Sequence, residues 1–98
     1  KKKKKPAEEY GELELLLSEG SQVVLSSQPT VNKLRRKLRN YTDNDYLLLM
    51  GDPVAMGIAC AIASDVNRGR IQCLKWDKME MKYYPVKFNL FEKGEIDD

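Results

Sequence analysis

One stretch limits the folds open to this chain more than any other. Tyr46–Met50 is an unbroken run of five apolar residues, followed by Gly51-Asp52-Pro53 and then by a segment, Val54 to Ala63, in which every residue is apolar or small. A strand without polar alternation is covered on both faces, as a central, parallel strand is. Gly51 turns the chain, Asp52 has the side chain of an N-cap, and Pro53 fits the first helical position, where its missing N–H costs nothing. A helix is predicted from Pro53 to about Asn67, with Gly69 as its stop. An apolar strand feeding an apolar helix needs cover from a second layer, which points to an α/β architecture.

The flanking segments extend this pattern. Val23, Val24 and Leu25 predict a first strand over 22–26. Pro29 opens a helix predicted over 29–41, with Val31, Leu34, Leu38 and Tyr41 on one apolar stripe. Thr42 to Asp45 read as a polar turn. Ile71–Trp76 and Tyr83–Phe91 read as two strands joined by a short hairpin loop. In the second of these, Tyr84, Val86, Phe88 and Leu90 are expected on the inner face and Tyr83, Pro85, Lys87 and Asn89 on the polar outer face. Pro85 suits an edge or a bulge. Residues 10–19 fit either a short helix or an edge strand, with the helix preferred. The predicted order is β-α-β-α-β-β: a two-layer α/β sandwich, an α+β fold with a four-stranded mixed sheet and, through right-handed crossovers, two helices on one face. Residues 1–9 are expected to be a charged flexible tail, 10–91 a single domain, and 92–98 an acidic tail.

Composition removes several chemistries. The 98 residues include no histidine, so Ser-His-Asp triads, Cys-His dyads and His-ligated zinc are excluded. Two cysteines, Cys60 and Cys73, cannot fill a tetrahedral metal site alone; they sit in apolar runs and read as small buried thiols. No apolar run approaches the ~18 residues of a membrane span, and none behind Lys1–Lys5 resembles a signal peptide. Those five lysines also distort the charge balance. The other 12 basic residues face 15 acidic ones, a net of −3, so basic character is local.

That local character lies on the first helix. Lys33, Arg35, Arg36, Lys37 and Arg39 fall within seven residues with no acid among them, fanned over the side opposite Val31, Leu34 and Leu38. Such a ridge can track a phosphate backbone; the plainer reading is a solvated face paired with glutamates elsewhere. Gly51-Asp52-Pro53 offers a helix start, but Asp52 brings negative charge where an anion would sit and no phosphate-binding glycine motif is present, so capping is the better reading. Glu80-Met81-Lys82 has the E-x-K spacing of some metal-dependent nucleases but falls at a hairpin loop. Asp43, Asn44 and Asp45 lack the glycine and terminal glutamate of a calcium loop. Trp76 and Tyr84 are expected to face each other across the hairpin. Trp76, Tyr83 and Tyr84 are also candidates for anchoring a partner protein.

Val23-Val24-Leu25 and Gln28-Pro29-Thr30-Val31-Asn32, taken with the element order, resemble the Alba family of small nucleic-acid-binding proteins over about residues 22–91. The family carries lysines before the proline of the first loop. Here Ser26, Ser27 and Gln28 stand there, which leaves the basic helix as a separate expectation. Gly51-Asp52-Pro53-Val54-Ala55, Gly69-Arg70-Ile71 and Leu74-Lys75-Trp76-Asp77 resemble small proteins of tailed bacteriophages, notably marine ones. That resemblance implies an accessory protein in the cytoplasm of an infected bacterium.

The function expected is therefore a non-enzymatic module that contacts nucleic acid, DNA or RNA, through Lys33, Arg35, Arg36, Lys37 and Arg39, with no cofactor, no metal and no membrane partner. The alternative is a protein-interaction module that engages a host protein or self-associates. A modest core, an apolar helix and a free strand edge predict a homodimer. A carboxylate-metal nuclease is the distant third reading.

Overall fold

A computed structural model of the chain describes residues 7–11 and 28–94. The strand expected over 22–26 and most of the element expected over 10–19 lie outside the described residues. The elements are a short 3-10 turn, Glu8–Tyr10, then α1 (Gln28–Leu38), β1 (Leu47–Leu48), α2 (Pro53–Val66), β2 (Arg70–Asp77) and β3 (Lys82–Asn89). The sheet has three strands in the order β1-β2-β3, so among the described residues the expected four-stranded sheet is not found. β1 runs parallel to β2, with Leu47 opposite Cys73, and β3 runs antiparallel to it. The fold class is α+β, a mixed sheet with two helices.

Both helices pack on one face of this sheet. Leu34 and Leu38 of α1, Ala59, Ile62 and Ala63 of α2, Leu47 of β1 and Ile71 of β2 form the main core. The apolar stripe of α1 explains why it docks as it does, with Leu34 only 1% exposed. The helix stops at Leu38 rather than at residue 41, where Tyr41 donates its N–H back to the Leu38 carbonyl and closes the turn. Tyr41 remains in the core, but its hydroxyl is put to use on the sheet: it accepts the Gln72 N–H at 3.1 Å and donates to the Asp45 carbonyl at 3.2 Å.

α2 starts as its sequence demands. The Asp52 carboxylate accepts the Val54 N–H at 3.0 Å, and Pro53 occupies the first turn. It ends at Val66 with the Asn67 N–H on the Ala63 carbonyl and with Gly69, at φ +84°, bonding back to the Ser64 carbonyl. The expectation of a mostly buried helix needs correction. Ala55, Ala59, Ile62, Ala63 and Ser64 are buried, but Val54, Gly57 and Ala61 face solvent. Among the described residues only one side of α2 has a layer to pack on, and the small residues there let it lie close to β2.

The opposite face of the sheet has its own cluster. Ala7, Leu74 and Tyr83 are buried there, with Tyr10, Tyr46, Leu48 and Trp76 packed against them. Ala7 is 1% exposed and the Tyr10 hydroxyl donates to the Tyr83 carbonyl at 3.0 Å, so the docked chain reaches back to Ala7 and does not begin at Tyr10. This explains the unbroken apolar run of β1: Leu47 enters one cluster and Leu48 the other. On β3 the side expected to be polar and outward also carries a buried residue, Tyr83, while the expected inner row is partly exposed. Tyr83 is 3% exposed, whereas Tyr84 and Phe88 are each 38% exposed. The row Tyr84, Val86, Phe88 does point to the helix side, in register with Lys75, Cys73 and Ile71. Among the described residues the helices roof β1 and β2 but not β3, so that row is left partly exposed.

Candidate nucleic-acid interface

The buried stripe of α1 fixes where its cations point. With about 100° per residue, Arg36 stands opposite Leu34 and Leu38, while Lys33, Arg35, Lys37 and Arg39 flank it. Arg35, Arg36, Lys37 and Arg39 are exposed and Lys33 is half-exposed. All five candidates therefore share one helix and one outward ridge. Arg35, Arg36 and Lys37 lie in the last turn, where positive charge also complements the helix dipole. A structural role thus accounts for part of their placement.

The neighbouring acids decide how much of this charge is neutralised. Arg35 pairs with Asp65 of α2 at 3.7 Å, with both side chains well exposed; such a pair is weak and screened by salt. Among the described residues, the other aspartates are engaged locally. The Asp45 carboxylate accepts the Thr42 N–H and hydroxyl, Asp52 caps α2, and Asp77 accepts the Met79 and Glu80 N–H groups of the hairpin turn. Asp43 accepts from Asn67 Nδ2 at 2.8 Å and from Arg70 Nε at 2.9 Å. Those two bonds, Arg70 first, hold its carboxyl below the usual value of 3.8. Turns and caps thus occupy acids that composition alone would assign to the basic helix.

The aromatic candidates do not gather. Trp76 faces Tyr83 rather than Tyr84 across the hairpin, with the rings edge to face at 4.9 Å. Tyr84 projects from the other side of β3, opposite Lys75. As partner anchors, Trp76 and Tyr83 are therefore separated from Tyr84 by the sheet itself, and Tyr83 is closed in by the N-terminal turn. The turn between the strands contains Met81 in the left-handed region, φ +54°, and Glu80 and Lys82 flank it with no third ligand. Among the described residues no three Cys, Asp or Glu side chains form a set that could hold a metal. An open apolar depression of about 380 Å³, lined in part by Leu49, Met50, Cys73, Lys75, Trp76 and Val86, lies where β1 ends. Among the described residues, no helix is long and apolar enough to cross a membrane.

Sequence reasoning missed two features of this arrangement: the uncovered row on β3 and the edge-capping role of Tyr41. The alternation Tyr84-Val86-Phe88 was a signal for the first, although it could not say that the roof ends at β2.

No curated protein and no solved structure matches the chain. A family model described as phage Pam3 gp32-like protein matches residues 3–90. Nearly the whole chain, including both helices and all three strands, falls within that match, and the chain belongs to the phage Pam3 gp32-like protein family.

Proposed function

We propose that this phage protein is a small non-enzymatic binding module that contacts nucleic acid through α1 in the cytoplasm of an infected bacterium. The observation that carries the reading is the ridge of Lys33, Arg35, Arg36, Lys37 and Arg39, set outward by a buried apolar stripe, with Arg35 only weakly paired to Asp65 while Asp45, Asp52 and Asp77 serve turns and caps. Cations on a rigid helix neutralise phosphates and release counterions, so affinity falls steeply with salt. The test is fluorescence anisotropy with labelled duplex DNA, single-stranded DNA and RNA. It uses a Lys1–Lys5→Ser variant as the reference protein, because a run of lysines holds any polyanion. Arg35→Ala, Arg36→Ala and Arg39→Ala combined in that background should abolish most of the binding. Equal affinity of the reference and the triple variant overturns the proposal.

A second reading rests on a separate observation, the uncovered row Tyr84, Val86 and Phe88. Exposed apolar surface on an edge strand suits a protein partner, a host protein or a second copy of the chain. This reading predicts association that survives moderate salt and is lost in Phe88→Lys, with light scattering at two concentrations as the check on the homodimer.

A further inference from the structure

The helix-side row of β3 combines aromatic rings with positive charge. Lys82, Tyr84, Val86 and Phe88 alternate along the strand and so share one face of the sheet. Lys75 of β2 stands opposite Tyr84, and Asp77 opposite Lys82. Tyr84, Val86, Phe88, Lys75 and Lys82 are all exposed among the described residues. Four residues of an extended strand span about 14 Å, so the rings of Tyr84 and Phe88 stand too far apart to stack on each other. β3 contains no acid. The one acid of β2, Asp77, accepts the Met79 and Glu80 N–H groups of the hairpin turn. Neither Lys75 nor Lys82 forms an ion pair among the described residues.

We infer that this row is a stacking platform for single-stranded nucleic acid. Unpaired bases have free ring faces that lie on exposed aromatic side chains, while the phosphates between them meet cations. A duplex keeps its bases stacked on one another and has no such faces to offer. Tyr84 and Phe88 supply two separate ring faces, and Lys75 and Lys82 supply the charge beside them. Lys75 and Val86 also line the open depression at the end of β1, which widens the surface beyond β3. The edge beside the row argues against an added strand as its occupant. The Tyr83 carbonyl is taken by the Tyr10 hydroxyl, and Pro85 has no N–H to donate. The first half of β3 therefore has little to offer a strand from a host protein or a second copy. The inference rests on the nucleic-acid reading for its class of ligand, names the single-stranded form, and uses a surface distinct from α1.

The test measures fluorescence anisotropy of a labelled mixed-sequence DNA strand, alone and annealed to its complement, with the Lys1–Lys5→Ser protein as reference. Tyr84→Leu combined with Phe88→Leu keeps apolar bulk on the row and removes both rings. It should weaken binding of the single strand at least about fivefold and leave duplex binding unchanged. Tyr84→Trp and Phe88→Trp in their place should restore single-strand binding, which neither a folding defect nor a purely apolar contact would do. An iodouracil-substituted strand, irradiated on the reference protein, should cross-link to Tyr84 or Phe88. A leucine variant that binds the single strand as the reference does, or that loses strand and duplex equally, overturns the inference. So does a reference protein whose row is closed in a salt-resistant dimer by light scattering. Failure of the α1 reading has a different signature: Arg35→Ala, Arg36→Ala and Arg39→Ala combined leave duplex affinity unchanged, while the leucine variant still loses the single strand.

Discussion

Replacing Tyr41 by Phe isolates a single oxygen atom. Tyr41 is buried, and its hydroxyl accepts the Gln72 N–H at 3.1 Å and donates to the Asp45 carbonyl at 3.2 Å. β1 begins to pair with β2 only at Leu47 opposite Cys73, so Gln72 lies one residue short of a strand neighbour and the tyrosine oxygen takes that place. Phe keeps the ring in the core and opens no cavity. It leaves the buried Gln72 N–H unpaired, which costs about 1–3 kcal/mol. The Asp45 carbonyl keeps a longer contact with Gln72 Nε2 at 3.4 Å. A loss of about 2 kcal/mol lowers Tm by roughly 10 °C in a domain of this size. Urea unfolding followed by circular dichroism should show a lower midpoint with an unchanged slope. The pH dependence adds a second check. Burial, more than any other influence, raises the Tyr41 hydroxyl above its ordinary value of 10.0. Its contribution is therefore complete below the unfolded value and lost as pH rises through the folded one. The gap between wild type and Tyr41→Phe should narrow at strongly alkaline pH. A Tyr41→Phe protein within about 0.5 kcal/mol of wild type at pH 7, the range of an ordinary surface change, would refute the edge-capping argument.

Three further outcomes follow from the same structure. Gly69 has φ +84°, and an added Cβ would stand 2.6 Å from the Phe91 ring and 2.7 Å from Asn89 Oδ1; Gly69→Ala should cost at least about 1–2 kcal/mol from the backbone alone, measured by urea midpoint. Asp52→Ala removes the cap of α2 and should cost about 1 kcal/mol, with Asp52→Ser retaining most of it, again by denaturation. Arg70→Met should return the Asp43 carboxyl toward 3.8, as followed by carboxyl NMR. The folded value lies below the unfolded one, so the stability Asp43 contributes is present above 3.8 and is lost as pH falls through the folded value; the variant should lose that acid-range dependence.

Periodicity made some of this fold legible. The stripe Val31, Leu34, Leu38 places α1 because a helix with one apolar face has one way to dock. Asp52-Pro53 and Gly69 bracket α2 because caps depend on local chemistry alone. The unbroken run at Leu47-Leu48 correctly signals cover on both faces. What fails depends on partners distant in sequence. β1 shrinks to two residues because only Leu47 and Leu48 have neighbours on β2. The hairpin register is one residue off, with Trp76 opposite Tyr83 and not Tyr84, because the turn uses a left-handed Met81, which no sequence rule marks. The charged surroundings of Ala7 hide its burial. For the candidate site, the ridge itself could be read from spacing. The roles of Asp43, Asp45, Asp52 and Asp77 could not, since each is set by the backbone group it meets.

The central claim, that the cations of α1 engage a phosphate backbone, is tested most directly by the salt dependence of nucleic-acid affinity in the Lys1–Lys5→Ser background. With three to five cations engaged, the logarithmic slope against salt should be about −3 to −4.5 on duplex DNA. Converting Arg35, Arg36 and Arg39 to Ala should reduce its magnitude by about 2–3. A slope near zero, or one that the three alanines leave unchanged, would contradict the claim.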